Sequence, residues 1–286
     1  MAPWSDSLAA NACSCEHCVI MKMPVSTVED APSSPCGSVN PVPSVAANPA
    51  TQLQAVAERI ARTVAQYPDV IAVSLVGSVA RGNADEASDI DLLVITEDAV
   101  RPTHLLRRLP PSLRDGRLSF LNFSRLRWEE DVRRGSLFLQ HVRLEGRTLY
   151  DPHAFLRRGL KALAAGKPDV MGEIETQRRR LRLYRDLERL NGQHLFTLAH
   201  LYRIGKATAI AQCVALGEPV FVKEDALLKL ASRRPHLASA ASCVARLRPF
   251  YVLERGRDDA DLPFPPVGAE AEIRLAINAI ELLASG

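Results

Sequence analysis

Apolar residues recur at helical spacing over residues 50–67, where Leu53, Val56, Ala57, Ile60, Ala61 and Val64 form one stripe. The pattern then changes period. Val70-Ile-Ala-Val-Ser-Leu-Val76 is a short, β-branched run of the kind that forms a buried strand, and Asp89-Ile-Asp-Leu-Leu-Val-Ile95 reads as a second. Residues 103–114 look helical until Pro110-Pro111 interrupts them, and Arg117–Ser124 is a third strand. Arg125–Gly146 reads as one helix closed by Gly146, and Arg147-Thr-Leu-Tyr-Asp-Pro152 as a short closing strand. Helices interleaved among a few strands predict an α/β (α+β) domain with a small mixed sheet.

From Ala154 onward strand signals almost vanish. A long helical pattern covers residues 174–204, with Leu181, Tyr184, Leu187, Leu190, Leu195, Leu198 and Leu201 broadly in register. Further helices are expected at Ala207–Leu216, Lys223–Ser232, Leu237–Leu247 and Ala269–Leu283, the last two separated by the Pro-rich Asp261-Leu-Pro-Phe-Pro-Pro266. Residues 1–48 are rich in Pro, Ser, Ala and Asn, without periodicity, and read as a disordered tail. The expected organisation is therefore a tail (1–48), an α/β domain (49–152) and an all-helical domain (153–286).

Between the first two strands the residues change from structural to chemical. Val76 is followed by Gly77-Ser78-Val79-Ala80-Arg81-Gly82 and then by Ser88-Asp89-Ile90-Asp91. A Gly-Ser turn at the start of a helix offers backbone N–H groups to phosphate, Ser78 adds a hydroxyl, and Arg81 one turn on suits a bidentate phosphate grip. Ser88 is placed to hydrogen-bond locally and fix the start of the second strand. Side chains alternate along a strand, so Asp89 and Asp91 project to one side, roughly 6.6 Å apart along the backbone. Taken singly, a Gly-Ser turn is common and an Asp-x-Asp is usually a solvated strand end. Together they are specific, because acids inside an apolar strand are costly unless a cation or partner neutralises them. Mg²⁺ takes a few carboxylates plus phosphate and water, which these residues offer.

These residues resemble the Gly-Ser-x-x-Arg-Gly … Ser-Asp-x-Asp signature of the polymerase-β-like nucleotidyltransferase superfamily. The resemblance implies transfer of a nucleoside monophosphate from a nucleoside triphosphate to a hydroxyl, phosphate or protein side chain. It implies that Asp89 and Asp91 hold Mg²⁺ as the catalytic pair and that Gly77, Ser78, Arg81 and Ser88 bind the nucleotide. Members usually carry a third acid on a later strand. The corresponding strand here, Arg117–Ser124, has none, and Ser119 or Asn122 stands in its place according to which face points to the site. Asn is a poor base. The nearest acids, Glu129, Glu130 and Asp131, suit the first turn of a helix equally well. The alternative to an enzyme is a catalytically weak nucleotide-binding or antitoxin-like regulatory module, with a second copy of the chain or a toxin-type protein as partner.

Composition adds limits. The 286-residue chain has a formal net charge of +3, too small to argue for nucleic-acid binding. No apolar run approaches the roughly 20 residues of a membrane helix, no signal peptide is evident, and the chain is expected in the cytoplasm. Cys13, Cys15, His17 and Cys18 cluster in the tail, but no second Cys-x-x-Cys pair completes a zinc spacing. Cys213 and Cys243 fall in apolar helical patterns and look like core, and His141 among apolar neighbours reads as a core histidine. Arg189-Leu-Asn-Gly-Gln-His194 fits the loose Arg-x4-His pattern of HEPN helical domains, which sometimes cut RNA, although so short a pattern often arises by chance.

Overall fold

The computed structural model describes residues 48–84, 88–114, 117–222, 225–256 and 261–286. The cysteine cluster and almost all of the expected tail lie outside them. The chain divides into two compact units, one comprising the residues up to Arg133 with His141–Ala165, the other Arg134–Gln140 with Gly166–Gly286.

In the first unit, helix α1 (Pro49–Val64) opens on Asn48, whose side chain accepts a hydrogen bond from Ala50 N at 3.0 Å, while Pro49 fills a position whose N–H would go unused. Four strands follow, β1 (Val70–Val76), β2 (Ile90–Thr96), β3 (Leu118–Ser124) and β4 (Arg147–Tyr150), in the spatial order β3-β2-β1-β4. β1 pairs antiparallel with β2 and β4, whereas β2 and β3 run parallel, so the sheet is mixed as its interleaved elements predicted. One face carries Val73, Leu75, Ile90, Leu92, Val94 and Phe120, which join the α1 stripe and Leu105 in a continuous apolar core. Leu105 belongs to α3 (Pro102–Arg108). Fully burying each such Leu or Ile contributes about 1.5–3 kcal/mol. The other face meets Trp128 of α4 (Arg125–Arg134), whose ring stands edge-on to Phe123 at 6.3 Å.

The expected helix 125–146 is two helices, α4 and α5 (Leu137–Glu145). Gly135 lies between them at φ +76°, and a Cβ there would collide with the carbonyl of Lys167. A glycine inside an apolar periodicity breaks the helix because the chain needs both the left-handed turn and the close approach.

Among the described residues, the regular elements of the second unit are all helices. They form α6's successor α7 (Val170–Arg182), α8 (His194–Ala215), α9 (Asp225–Arg233), α10 (Ala238–Ala245), α11 (Arg248–Glu254) and α12 (Glu270–Ser285), while α6 (Phe155–Ala165) belongs to the first unit. The pattern over 174–204 does not run as one helix. It stops at Arg182, a 3-10 turn at Glu188–Leu190 intervenes, and the helix restarts at His194 just past Asn191 and Gly192, which both adopt left-handed φ values, 45° and 73°. α8 then continues through Lys206, merging two expected helices into one of 22 residues. Leu198, Leu201, Tyr202, Phe250, Ile273 and Ile280 anchor the core of this unit.

One titratable group is built into that unit. His200 is 6% exposed, its Nδ1 lies 2.7 Å from the Tyr184 hydroxyl, and its ring packs on Phe196 at 4.0 Å. Burial, helped by the charges of Arg203 and Arg180, pushes its pKa down to about 4. Because the folded value lies below the unfolded one, protonation favours unfolding. The stabilisation is complete above about pH 6.5 and is lost as pH falls toward 4, by about 2–3 kcal/mol. Unfolding titrations in denaturant at stepped pH should show this acid slope in the wild type and a flatter one in His200→Asn.

Candidate active site

β1 ends with Val76 opposite Asp91 in the antiparallel register, and the chain turns at once into a short helix, α2 (Gly77–Arg81). Gly77 sits at φ +77°, and a Cβ on it would lie 2.8 Å from Oδ2 of Asp91. The turn and the carboxylate are therefore in van der Waals contact through a space that only glycine leaves. Val79, 1% exposed, pins α2 into the core. Gly82 closes the helix, its N–H reaching the carbonyls of Ser78 and Val79, and Asn83 N also donates to Ser78 O at 3.2 Å. The C-terminal end of α2 is thus held by the backbone, with Ser78 partly exposed in its first turn.

Asp91 is the one position of β2 that is not fully buried. Asp89, just before the strand, is likewise half-buried, and Ser88 ahead of it is 8% exposed. In the parallel pairing, Asp91 stands beside Ser119 of β3. This resolves the third position. Asn122 lies on the opposite face, where it pairs with Val94, donates through Nδ2 to the carbonyl of Val100 and has Thr96 Oγ1 at 3.3 Å from its Oδ1. Ser119, 9% exposed, therefore occupies the third place.

The other suggested source of an acid is remote. β2 and β3 are parallel, so Asp89 and Asp91 mark the sheet end where both strands begin, whereas Glu129, Glu130 and Asp131 follow the end of β3. Seven strand residues put roughly 20 Å between those ends. Asp131 is buried and paired with Arg127 at 3.0 Å, and Glu129 and Glu130 are exposed on the first turns of α4. Among the described residues no group of three or more His, Cys, Asp or Glu side chains is arranged to hold a metal. The available set is two carboxylates beside the Gly77–Ser78 turn. As hard oxygen ligands these fit Mg²⁺, which completes its shell with water and substrate phosphate.

Arg81 is not simply directed at a ligand. Its Nη1 donates to Oε2 of Glu145 at 2.7 Å, and the same oxygen lies 3.1 Å from Nε2 of His141. All three side chains are at most about one-fifth exposed, at 17%, 18% and 21% for Arg81, Glu145 and His141. The hydrogen bond from His141, together with that from Arg81, holds the Glu145 carboxyl below the usual range against the effect of its burial. His141, expected as a core histidine, is one arm of this network. Glu145 went unread in the sequence. The i,i+4 spacing of His141 and Glu145 on a helix is a visible signal, but nothing in the sequence links either residue to Arg81, 64 positions from Glu145.

In the second unit His194 anchors a loop. Its Nδ1 donates to the carbonyl of Pro266 at 3.0 Å and its Nε2 lies 3.2 Å from Glu270. The side chain of Arg189 falls outside the described set.

Residues 57–138 match the model of the nucleotidyltransferase domain family. The first unit, with its small mixed sheet and its Gly-Ser turn packed on an Asp-x-Asp strand, carries a nucleotidyltransferase domain. No curated protein matches the chain. Among solved structures, a nucleotidyltransferase-like protein from Exiguobacterium sibiricum 255-15 is similar at 17% identity, over 82% of this chain and 74% of that one, with a TM-score of 0.32. The assignment rests on the family match and on the site geometry, not on that overlay.

The contact between Gly77 and Asp91 can be tested directly. Gly77→Ala should lower stability by about 1–3 kcal/mol, from the left-handed φ and the displaced carboxylate together. Equilibrium denaturation of the two proteins measures the difference.

Proposed function

We propose that the protein is a nucleotidyltransferase that moves a nucleoside monophosphate from a nucleoside triphosphate onto an acceptor, with Mg²⁺ held by Asp89 and Asp91. The observation that carries this reading is the packing of the Gly77 turn on the Asp91 carboxylate, which sets a phosphate cradle directly beside the cation ligands. Gly77 and Ser78 bind the triphosphate through backbone and hydroxyl groups, Ser88 supports the start of the acid-bearing strand, and Arg81 supplies positive charge. Bound Mg²⁺ would neutralise phosphate charge as it develops. In the transfer, an acceptor oxygen forms a bond to the α-phosphorus as the bond from that phosphorus to the bridging oxygen breaks. The electron pair leaves with pyrophosphate.

Ser119 in the third position can orient a water or hydroxyl but cannot take a proton at neutral pH. The acceptor proton then passes to solvent. This serine is also what favours the second reading, a nucleotide-binding or antitoxin-like module with weak catalysis and a protein partner. No helix among the described residues is long and apolar enough to cross a membrane, and we place the protein in the cytoplasm, where nucleoside triphosphates are abundant.

Calorimetric titration with each nucleoside triphosphate, with and without Mg²⁺, separates these readings from a structural relic. The Asp89→Asn/Asp91→Asn pair should lose Mg²⁺-dependent binding by more than the ~10–100-fold that removing a supporting partner costs, with an unchanged circular dichroism spectrum. Failure of the wild type to bind any of the four triphosphates would end the nucleotide reading. Ser119→Asp, which places a third carboxylate beside Asp91, should tighten Mg²⁺ several-fold while lowering stability in metal-free buffer through like-charge repulsion. An unchanged Mg²⁺ affinity would show that β3 does not face the cation.

A further inference from the structure

Resting on the nucleotidyltransferase reading, we infer that Glu145 is a positioning residue that holds the Arg81 guanidinium beside the Gly77–Ser78 turn, with His141 fixing Glu145 in turn. Glu145 ends α5 and Arg81 ends α2, so the contact ties two helix termini. One oxygen, Oε2, serves both partners, 2.7 Å from Arg81 Nη1 and 3.1 Å from His141 Nε2. A carboxylate held from two sides keeps its place when the arginine turns to a ligand. A carboxylate held by Arg81 alone would follow it.

The remaining geometry of Arg81 makes this hold consequential. Its Nε is buried and has no hydrogen-bond partner among the described residues, so the Glu145 contact is what orients the guanidinium there. A guanidinium carries five donors in one rigid fork. Fixing one Nη1 donor sets the plane of the others, which a triphosphate then meets already oriented, at a smaller ordering cost. The pair is mostly shielded from water, so removing Glu145 leaves a poorly solvated cation that swings toward other acceptors. Simple competition between Glu145 and phosphate for Arg81 makes the opposite prediction, tighter nucleotide binding once Glu145 is neutral.

A double-mutant cycle read by calorimetric titration of ATP with Mg²⁺ decides the matter. Glu145→Gln should weaken ATP about 5–10-fold in the wild-type background and less than about twofold in the Arg81→Ala background. A purely structural role would cost the same in both. His141→Gln, which keeps the Arg81–Glu145 pair but loosens its holder, should show a smaller loss with the same dependence on Arg81, and it replaces Glu145→Gln should that variant unfold. Equal losses in both backgrounds, no loss, or tighter binding in Glu145→Gln would each overturn the role. Absence of ATP binding by the wild type itself would overturn the nucleotide reading and this role with it, and is seen before any variant is made.

Discussion

The site depends on a missing side chain. Because Gly77 has no Cβ, the Asp91 carboxylate can lie close against the turn, where a Cβ would come within 2.8 Å of its Oδ2. That proximity joins two features that elsewhere are ordinary, a strand-to-helix turn and an acid at a strand start. It also explains the geometry around it. β1 and β2 must pair antiparallel with Val76 opposite Asp91, Gly77 must take a left-handed φ, and α2 must be anchored by Val79 so that the turn does not drift from the acid. A residue of any other type would have to adopt the left-handed φ and shift the Asp91 carboxylate away from the turn.

Around this centre charge is arranged in a graded way. Asp91 and Asp89 are half-buried, neither sealed from solvent nor free in it. Arg81 is compensated by a carboxylate that has a second partner, His141. The position that would bring a third acid to Asp91 is Ser119, neutral and nearly buried. A neutral neighbour adds no like charge beside the Asp91 carboxylate.

How much of this was legible in the sequence follows from the range of each interaction. The α1 stripe, the three principal strands and the Gly-Ser and Asp-x-Asp elements are written in local period and composition, and each is where its residues place it. The helix between Arg125 and Gly146 and the one over 174–204 were read as continuous because apolar spacing carries across Gly135 and across Asn191-Gly192. What breaks them is backbone conformation, and at Gly135 a carbonyl from a distant segment of its unit, which periodicity does not encode. The choice between Ser119 and Asn122 needed the parity of β3 against β2, a fact of pairing and not of either strand alone. Glu145 was invisible for the same reason, since its meaning lies in a partner far away in the chain.

That parity has its own safeguard. Thr96 and Asn122 meet at 3.3 Å near the ends of β2 and β3 farthest from Asp91, and Asn122 also reaches the Val100 carbonyl. The apolar positions of β2 and β3 are filled by Leu, Val, Ile and Phe, side chains that substitute for one another readily in a packed layer. Thr96 and Asn122 sit two ladder positions apart, opposite Ser124 and Val94 respectively, and their contact is a diagonal hydrogen bond between the two strands. Asn122 therefore ties the far end of β3 to Thr96 and to the segment that follows β2. Because β2 and β3 share one register along their length, what joins their far ends also bears on which residue stands beside Asp91.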